Sequence, residues 1–260
     1  MKIGISTASL YGKMYTEEAL EYYNKNNVEY AEVFLASFSE YTEEFGEKLR
    51  SVQGNVQVHS IHTLNSQYEG QLFSRSERQY NDALKIFRSA LNVGKKLNAE
   101  IYVMHGPQQM KYTKYVTNYE FFGNRTAELS RIAQEYGILL TWENVHWAHY
   151  NHPDFMKKLL PYCDAPIGCT LDIKQAAQSD TLADKYIDDM QGLIKNIHIV
   201  DFDEEGRLVL PTTGYYDYES LFRKIGDYNE TVMIEVYDGC YKEPQQLLGS
   251  YFKFNELNGK

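Results

Sequence analysis

Eight times along the chain, a short run of apolar, β-favouring residues is followed by a segment with helical spacing. The runs are KIGIST (2–7), YAEVFLA (30–36), VQVHSIH (56–62), EIYVMH (100–105), ILLTWE (138–143), IGCTLD (167–172), IKNIHIVD (194–201) and VMIEVY (232–237). Between the first two, TEEALEYYNKN begins with Thr16 as the expected N-cap and places Glu17 and Glu18 in the first turn. Further on, SERQYNDALKIFRSALNVGKKLN puts Tyr80, Leu84, Phe87, Leu91 and Val93 on one helical face, and a helix from NYEFF onward is expected to stop at Gly137. Later helices are expected over 153–161, 181–193, 217–226 and 242–254. Strict alternation predicts parallel strands joined by right-handed crossovers. Eight repeats in 260 residues favour closure into a barrel. An open doubly wound sheet is the alternative, but the first strand–helix turn, STASLYGKMYT, lacks its Gly-rich phosphate fingerprint. The expectation is an α/β fold, a (β/α)8 TIM barrel formed by residues 1–260 as one domain.

Charge narrows the partners. The formal net charge is −10, and the richest basic run, KLNAEIYVMHGPQQMKYTK (96–114), is sparse. A surface built to neutralise phosphates is not expected from such a chain, which argues against nucleic acid. No apolar stretch has the length of an export signal or membrane span. The three cysteines, Cys163, Cys169 and Cys240, form no CxxC pattern, and an odd number fits reduced thiols and a cytoplasmic location.

Barrel enzymes build their sites at the carboxyl ends of the strands, and here those ends are charged. The third strand ends at His62, the fourth at His105, the fifth at Glu143 and the sixth at Asp172; the seventh carries His198 and the eighth Glu235. Singly, each has an ordinary explanation, a hydrogen-bonded histidine or a helix-capping carboxylate. Jointly, three carboxylates would converge on one mouth, where two like charges about 4 Å apart repel by ~4 kcal/mol at an effective dielectric near 20. Such groups either take up protons or share a cation. With imidazoles beside them a divalent metal is expected, and mixed nitrogen and oxygen donors suit Zn²⁺, Mn²⁺, Co²⁺ or Fe²⁺ better than Mg²⁺.

In order along the chain, EYAEVFL, VMHGP, TWENV, CTLDIKQA, IHIVDFD and IEVY resemble the strand motifs of the xylose-isomerase-like barrel superfamily. That group includes sugar isomerases and epimerases, inosose and dehydroshikimate dehydratases, and type IV apurinic endonucleases. The resemblance implies a divalent metal (Mn, Zn, Co or Mg) on Glu143, Asp172, His198 and Glu235, with Glu143 and Glu235 as the proton-transferring pair. It implies a metal-dependent sugar or sugar-phosphate isomerase or epimerase with a small carbohydrate substrate; a dehydratase or an endonuclease-like hydrolase are the alternatives. His62 and His105 match, with Glu143, the first endonuclease metal and could serve a second metal or the substrate. Against the endonucleases, GRLVLPTTGYYDY lacks their further Asp-x-His pair. The group's usual Asp-x-x-His on the sixth strand is DIKQ here, with Gln175 in place of the histidine.

Gln175, Lys174, Arg207 and Glu32 are the substrate-contact candidates. Lys174 could reach a substrate oxygen or stand as a solvated helix-start lysine. Arg207 precedes LPTTG, where some epimerases place a substrate-binding arginine. Glu32 could be pocket wall or buried ion pair. The loop HWAHYNH offers His146, Trp147, His149 and His152 as pocket wall or as surface histidines. His59 and His62 lie three apart, so a strand turns them to opposite faces, and His62 is expected inward. The tyrosine-rich YFKF segment could support a homo-oligomer.

Overall fold

The computed structural model describes residues 1–64, 68–109, 116–190 and 192–258. Lys111 and Lys114, from the basic run noted above, lie outside the described residues. Eight parallel strands close into a barrel: β1 (Lys2–Ser6), β2 (Tyr30–Leu35), β3 (Gln57–Thr63), β4 (Ile101–Met104), β5 (Leu139–Glu143), β6 (Gly168–Asp172), β7 (Ile194–Ile199) and β10 (Thr231–Ile234). Each strand falls within a residue or so of its apolar run, except that the seventh stops at Ile199 and the eighth at Ile234, one residue before Glu235. The remaining pair, β8 (Asp201–Phe202) and β9 (Leu208–Val209), forms a small antiparallel hairpin beyond β7. Sequence periodicity does not reveal this hairpin. It is strapped by the Asp201 carboxylate, which accepts the backbone N–H groups of Thr212, Gly214 and Tyr216 at 3.1, 3.1 and 2.8 Å.

The outer ring consists chiefly of α1 (Thr16–Lys25), α2 (Glu43–Gln53), α4 (Glu77–Lys96), α5 (Tyr119–Gln134), α8 (Ala183–Met190), α9 (Tyr218–Ile225) and α10 (Pro244–Asn258). Shorter helices follow strand exits: α3 (Glu69–Leu72), α6 (Phe155–Leu159) and α7 (Ile173–Gln178). Phe87, Leu91 and Val93 of α4 are buried as the spacing predicts, whereas Tyr80 and Leu84 are only half-buried. Thr16 is not the N-cap. Tyr15 holds that position, and Glu18 accepts its backbone N–H at 3.0 Å. The Thr16 hydroxyl instead donates to the Phe34 carbonyl on β2 at 3.1 Å, tying α1 to the sheet. In YFKF, Tyr251 and Phe254 pack onto the barrel core while Phe252 is exposed. Among the described residues no helix is long and apolar enough to cross a membrane.

Two layers matter for the site. Between barrel and helices lies a continuous apolar core that includes Ile61, Phe87, Leu91 and Ile138. Inside the barrel, just below the mouth, the lining is polar. Ser6, Glu32 and Ser60 stand side by side across β1, β2 and β3, since Ser6 is in register with Glu32 and Glu32 with Ser60. Both serine hydroxyls donate to the Glu32 carboxylate, at 3.0 and 2.7 Å. A buried carboxylate is tolerable only with such partners.

Candidate metal centre

Strand alternation sends Glu143, Asp172 and His198 inward at the top of β5, β6 and β7, and Glu235 follows directly after β10. One donor atom from each of these four lies within 4.8 Å of the others. His198 Nδ1 is the hub: it is 3.1 Å from Glu143 Oε1, 3.4 Å from Glu235 Oε2 and 3.8 Å from Asp172 Oδ2. All four residues are buried. The quartet that the resemblance implies is thus brought together. Two of its oxygens, Glu143 Oε2 and Asp172 Oδ2, are buried without a hydrogen-bond partner. An ionised oxygen left that way is costly. Three carboxylates, two of them with an oxygen that makes no hydrogen bond, and an imidazole nitrogen are a donor set that a divalent cation fits.

Asp172 divides its oxygens. Oδ1 caps α7 by accepting the Gln175 backbone N–H at 2.8 Å, while Oδ2 faces the quartet. The capping reading of this residue is thus seen, and it leaves Oδ2 free to face the quartet. Asn144, the amide beside Glu143, clasps the backbone of Asp172. It donates to the Asp172 carbonyl at 2.9 Å and accepts the Asp172 N–H at 2.8 Å, locking the exits of β5 and β6 together.

A second cluster shares Glu143. His62 Nε2 and His105 Nε2 are 2.8 Å apart and lie 3.6 and 3.4 Å from Glu143 Oε2. Behind His105, Glu69 from α3 receives its backbone N–H at 3.0 Å and its Nδ1 at 3.3 Å. The parity argument for β3 holds: His62 points inward, while His59 pairs at 3.4 Å with Glu100, just before β4. Burial works against a charge on His62, but hydrogen bonds to Glu235 and Glu32 and the charge of Glu143 outweigh it and lift its pKa to about 10. The same contest raises His198 well above its ordinary value, chiefly through Glu32 and Glu235. Burial works against ionisation of Glu235, yet Lys174 and His198 hold its pKa well below the usual carboxylate range.

The substrate-contact candidates separate. Gln175 lines the pocket, and its Oε1 is engaged by the backbone N–H and Nδ1 of His146, at 3.2 and 2.5 Å. Lys174 is not a solvated lysine: it is 3% exposed, and its Nζ lies 2.9 Å from Glu235 Oε2 and 3.4 Å from Asp172 Oδ2. Glu32 is a buried partner of histidines and not pocket wall. It is fully buried, 3.3 Å from His62 Nδ1 and 3.1 Å from His198 Nε2. Arg207 is not brought to the pocket. It stands on the hairpin with a 72% exposed side chain, held by Asp203 and Glu205 at 2.7 and 2.8 Å, because a nearer acidic pair captures it. In the loop after β5, Trp147 lines the pocket beside His105, whereas His149 and His152 turn toward Phe122 and Phe155.

The cavity above the quartet has a volume of about 270 Å³. Its floor is His62, His105, Glu143 and Glu235, and Tyr11, Phe34, Trp147 and Tyr237 form apolar walls. Sequence reasoning missed Glu69, Asn144 and Asn196, the last placing its Nδ2 3.3 Å from Glu32. Only parity could have hinted at Asn196, which stands two residues before His198 on the same inward face.

Solved structures share this architecture. A D-tagatose 3-epimerase-like protein superposes with a TM-score of 0.77 at 17% identity, over 100% of both chains. The IolI protein with a binding zinc atom gives a TM-score of 0.75 at 18% identity, over 97% of this chain and 96% of that one. D-psicose 3-epimerase from Clostridium cellulolyticum H10, with D-tagatose, gives 0.74 at 16% identity, over 91% and 85%. No curated protein matches the sequence. The sequence itself matches the xylose isomerase-like TIM barrel over residues 19–250, and the chain belongs to that family.

Proposed function

We propose that the protein is a metal-dependent sugar isomerase or epimerase that moves a proton on the carbon next to a carbonyl. The observation that carries this reading is the convergence of Glu143 and Glu235 on one donor cluster while both line the same small cavity. They come from strands separated by β6 and β7 in the barrel order, so they approach a substrate from different sides. In this reading one glutamate removes the α-proton, leaving the bonding pair to shift toward the carbonyl oxygen. The other returns a proton to the opposite face. Glu143, Asp172, His198 and Glu235 would hold the metal, and a bound divalent cation would supply Lewis-acid stabilisation of the negative charge on oxygen. Near 270 Å³, the cavity is at the small end of ligand pockets and suits one small polyol. Its aromatic walls suit the apolar faces of a sugar ring. Epimerases among the structural neighbours support the substrate class.

Solvent exchange tests it. Protein loaded with Mn²⁺ or Zn²⁺ is incubated with a panel of ketoses and their phosphates in D₂O, and deuterium at the carbon beside the carbonyl is read by NMR. Exchange that disappears on chelation is expected. A panel with no exchange and no new product overturns the proposal, and release of an unsaturated ketone would move the same two glutamates to an elimination.

A further inference from the structure

We propose that Lys174 is a built-in cation that shares its seat with the metal: its ammonium bridges Asp172 and Glu235 and must be displaced before a divalent ion can use both. This rests on the metal reading above but not on the reaction assigned to the site.

Lys174 Nζ lies 2.9 Å from Glu235 Oε2 and 3.4 Å from Asp172 Oδ2. Those carboxylates belong to the quartet, and Asp172 Oδ2 makes no hydrogen bond beyond these ion pairs. Lys174 is the second residue of α7, where the positive end of a helix disfavours an ammonium. Its buried position is therefore set by the two carboxylates. Two positive ions drawn to the same oxygens repel each other, so the metal and the ammonium compete.

The route of displacement is also present. Lysine carries its charge on a flexible four-carbon stem, and Lys174 Nζ already lies 4.6 Å from the centroid of the Tyr237 ring, whose face attracts a cation. Lys174 and Tyr237 both line the cavity. An ammonium released from Glu235 would turn along that ring into the substrate space, where it can donate to a substrate oxygen. One event would thus seat the metal and arm the pocket with a donor. Without the metal, the same ammonium neutralises carboxylates that would otherwise repel.

Equilibrium dialysis against Mn²⁺ and Zn²⁺, with metal measured by mass spectrometry, tests the competition in the full-length wild type and in Lys174→Met, Lys174→Gln and Lys174→Arg. The neutral variants are expected to bind metal about tenfold or more tightly, within the 10- to 100-fold range over which groups around a site shift metal affinity, and the arginine variant to stay near wild type. A second measurement needs no variant: acetic anhydride labelling of Lys174, read by peptide mass spectrometry, should rise on metal loading relative to other lysines. Metal bound by the neutral variants alone is the strongest support. Equal or weaker affinity in the neutral variants, with Lys174 labelling unchanged by metal, overturns the proposal and leaves the metal site standing. No metal on any form overturns both.

Discussion

Glu32 Oε2 lies 3.1 Å from His198 Nε2, while the other ring nitrogen, Nδ1, faces Glu143 at 3.1 Å. A carboxylate only accepts, so Glu32 keeps a proton on Nε2, and a metal on the quartet would take the Nδ1 lone pair once the proton shared with Glu143 leaves. The same carboxylate reaches His62 Nδ1 with its other oxygen at 3.3 Å. Orienting groups of this kind typically change metal affinity 10- to 100-fold, so Glu32→Gln is expected to weaken Mn²⁺ or Zn²⁺ binding by roughly that factor without removing a ligand. Titration calorimetry checks it. Unchanged affinity would show that the packing around His198 is sufficient.

Glu143→Gln and Glu235→Gln address the proton-transferring pair. At saturating metal, each is expected to lower α-proton exchange by about 10²–10⁴, the usual range for a lost acid–base group. Because each would serve one face, a stereospecifically labelled substrate should show different residual steps in the two variants. Equal, small losses would count against the assignment.

Gln175 is fixed by its neighbour. With Oε1 engaged by His146, its amide nitrogen is left as the donor for the cavity it lines. Gln175→Ala is expected to raise KM about tenfold with little change in kcat, the size of one lost polar contact. A fall confined to kcat would place Gln175 in the chemistry.

Gly106 follows His105 with φ +72°, and a Cβ there would collide with the Trp142 ring. Gly106→Ala is expected to cost about 1–3 kcal/mol, as overpacking does. Its melting temperature should fall, and an unchanged melting temperature would show that the Trp142 ring can give way.

Burial, with the charge of His152, lowers the pKa of His149 below 6.5. Below that value the unfolded chain takes up a proton that the folded chain refuses, so this residue makes stability fall as pH drops through 6.5 toward the folded pKa. Urea midpoints at about pH 7.5 and about pH 5.5 should differ less in His149→Asn than in wild type. An unchanged difference would refute this.

What could be read from the chain alone follows from range. The barrel was legible because alternating patterns are local, and Glu143, Asp172 and His198 because each closes a strand or lies on its inward face. Lys174 and Glu69 were not legible in the roles they hold. Lys174 meets Glu235 across 61 positions, and Glu69 meets His105 across 36. Nothing near a helix-start lysine marks it as buried. Arg207 misled for the opposite reason: its true partners, Asp203 and Glu205, are close neighbours, and proximity favoured them over the pocket.

The division of labour in Asp172 carries a consequence for any screen of this protein. One oxygen starts a helix and the other turns toward the ionic centre, so replacing the residue unpins a corner of the scaffold in the same stroke that it deletes a donor. Loss of turnover in such a variant would mix misplaced backbone with missing charge. Asparagine, which keeps a capping oxygen, is the substitution that pulls the two apart.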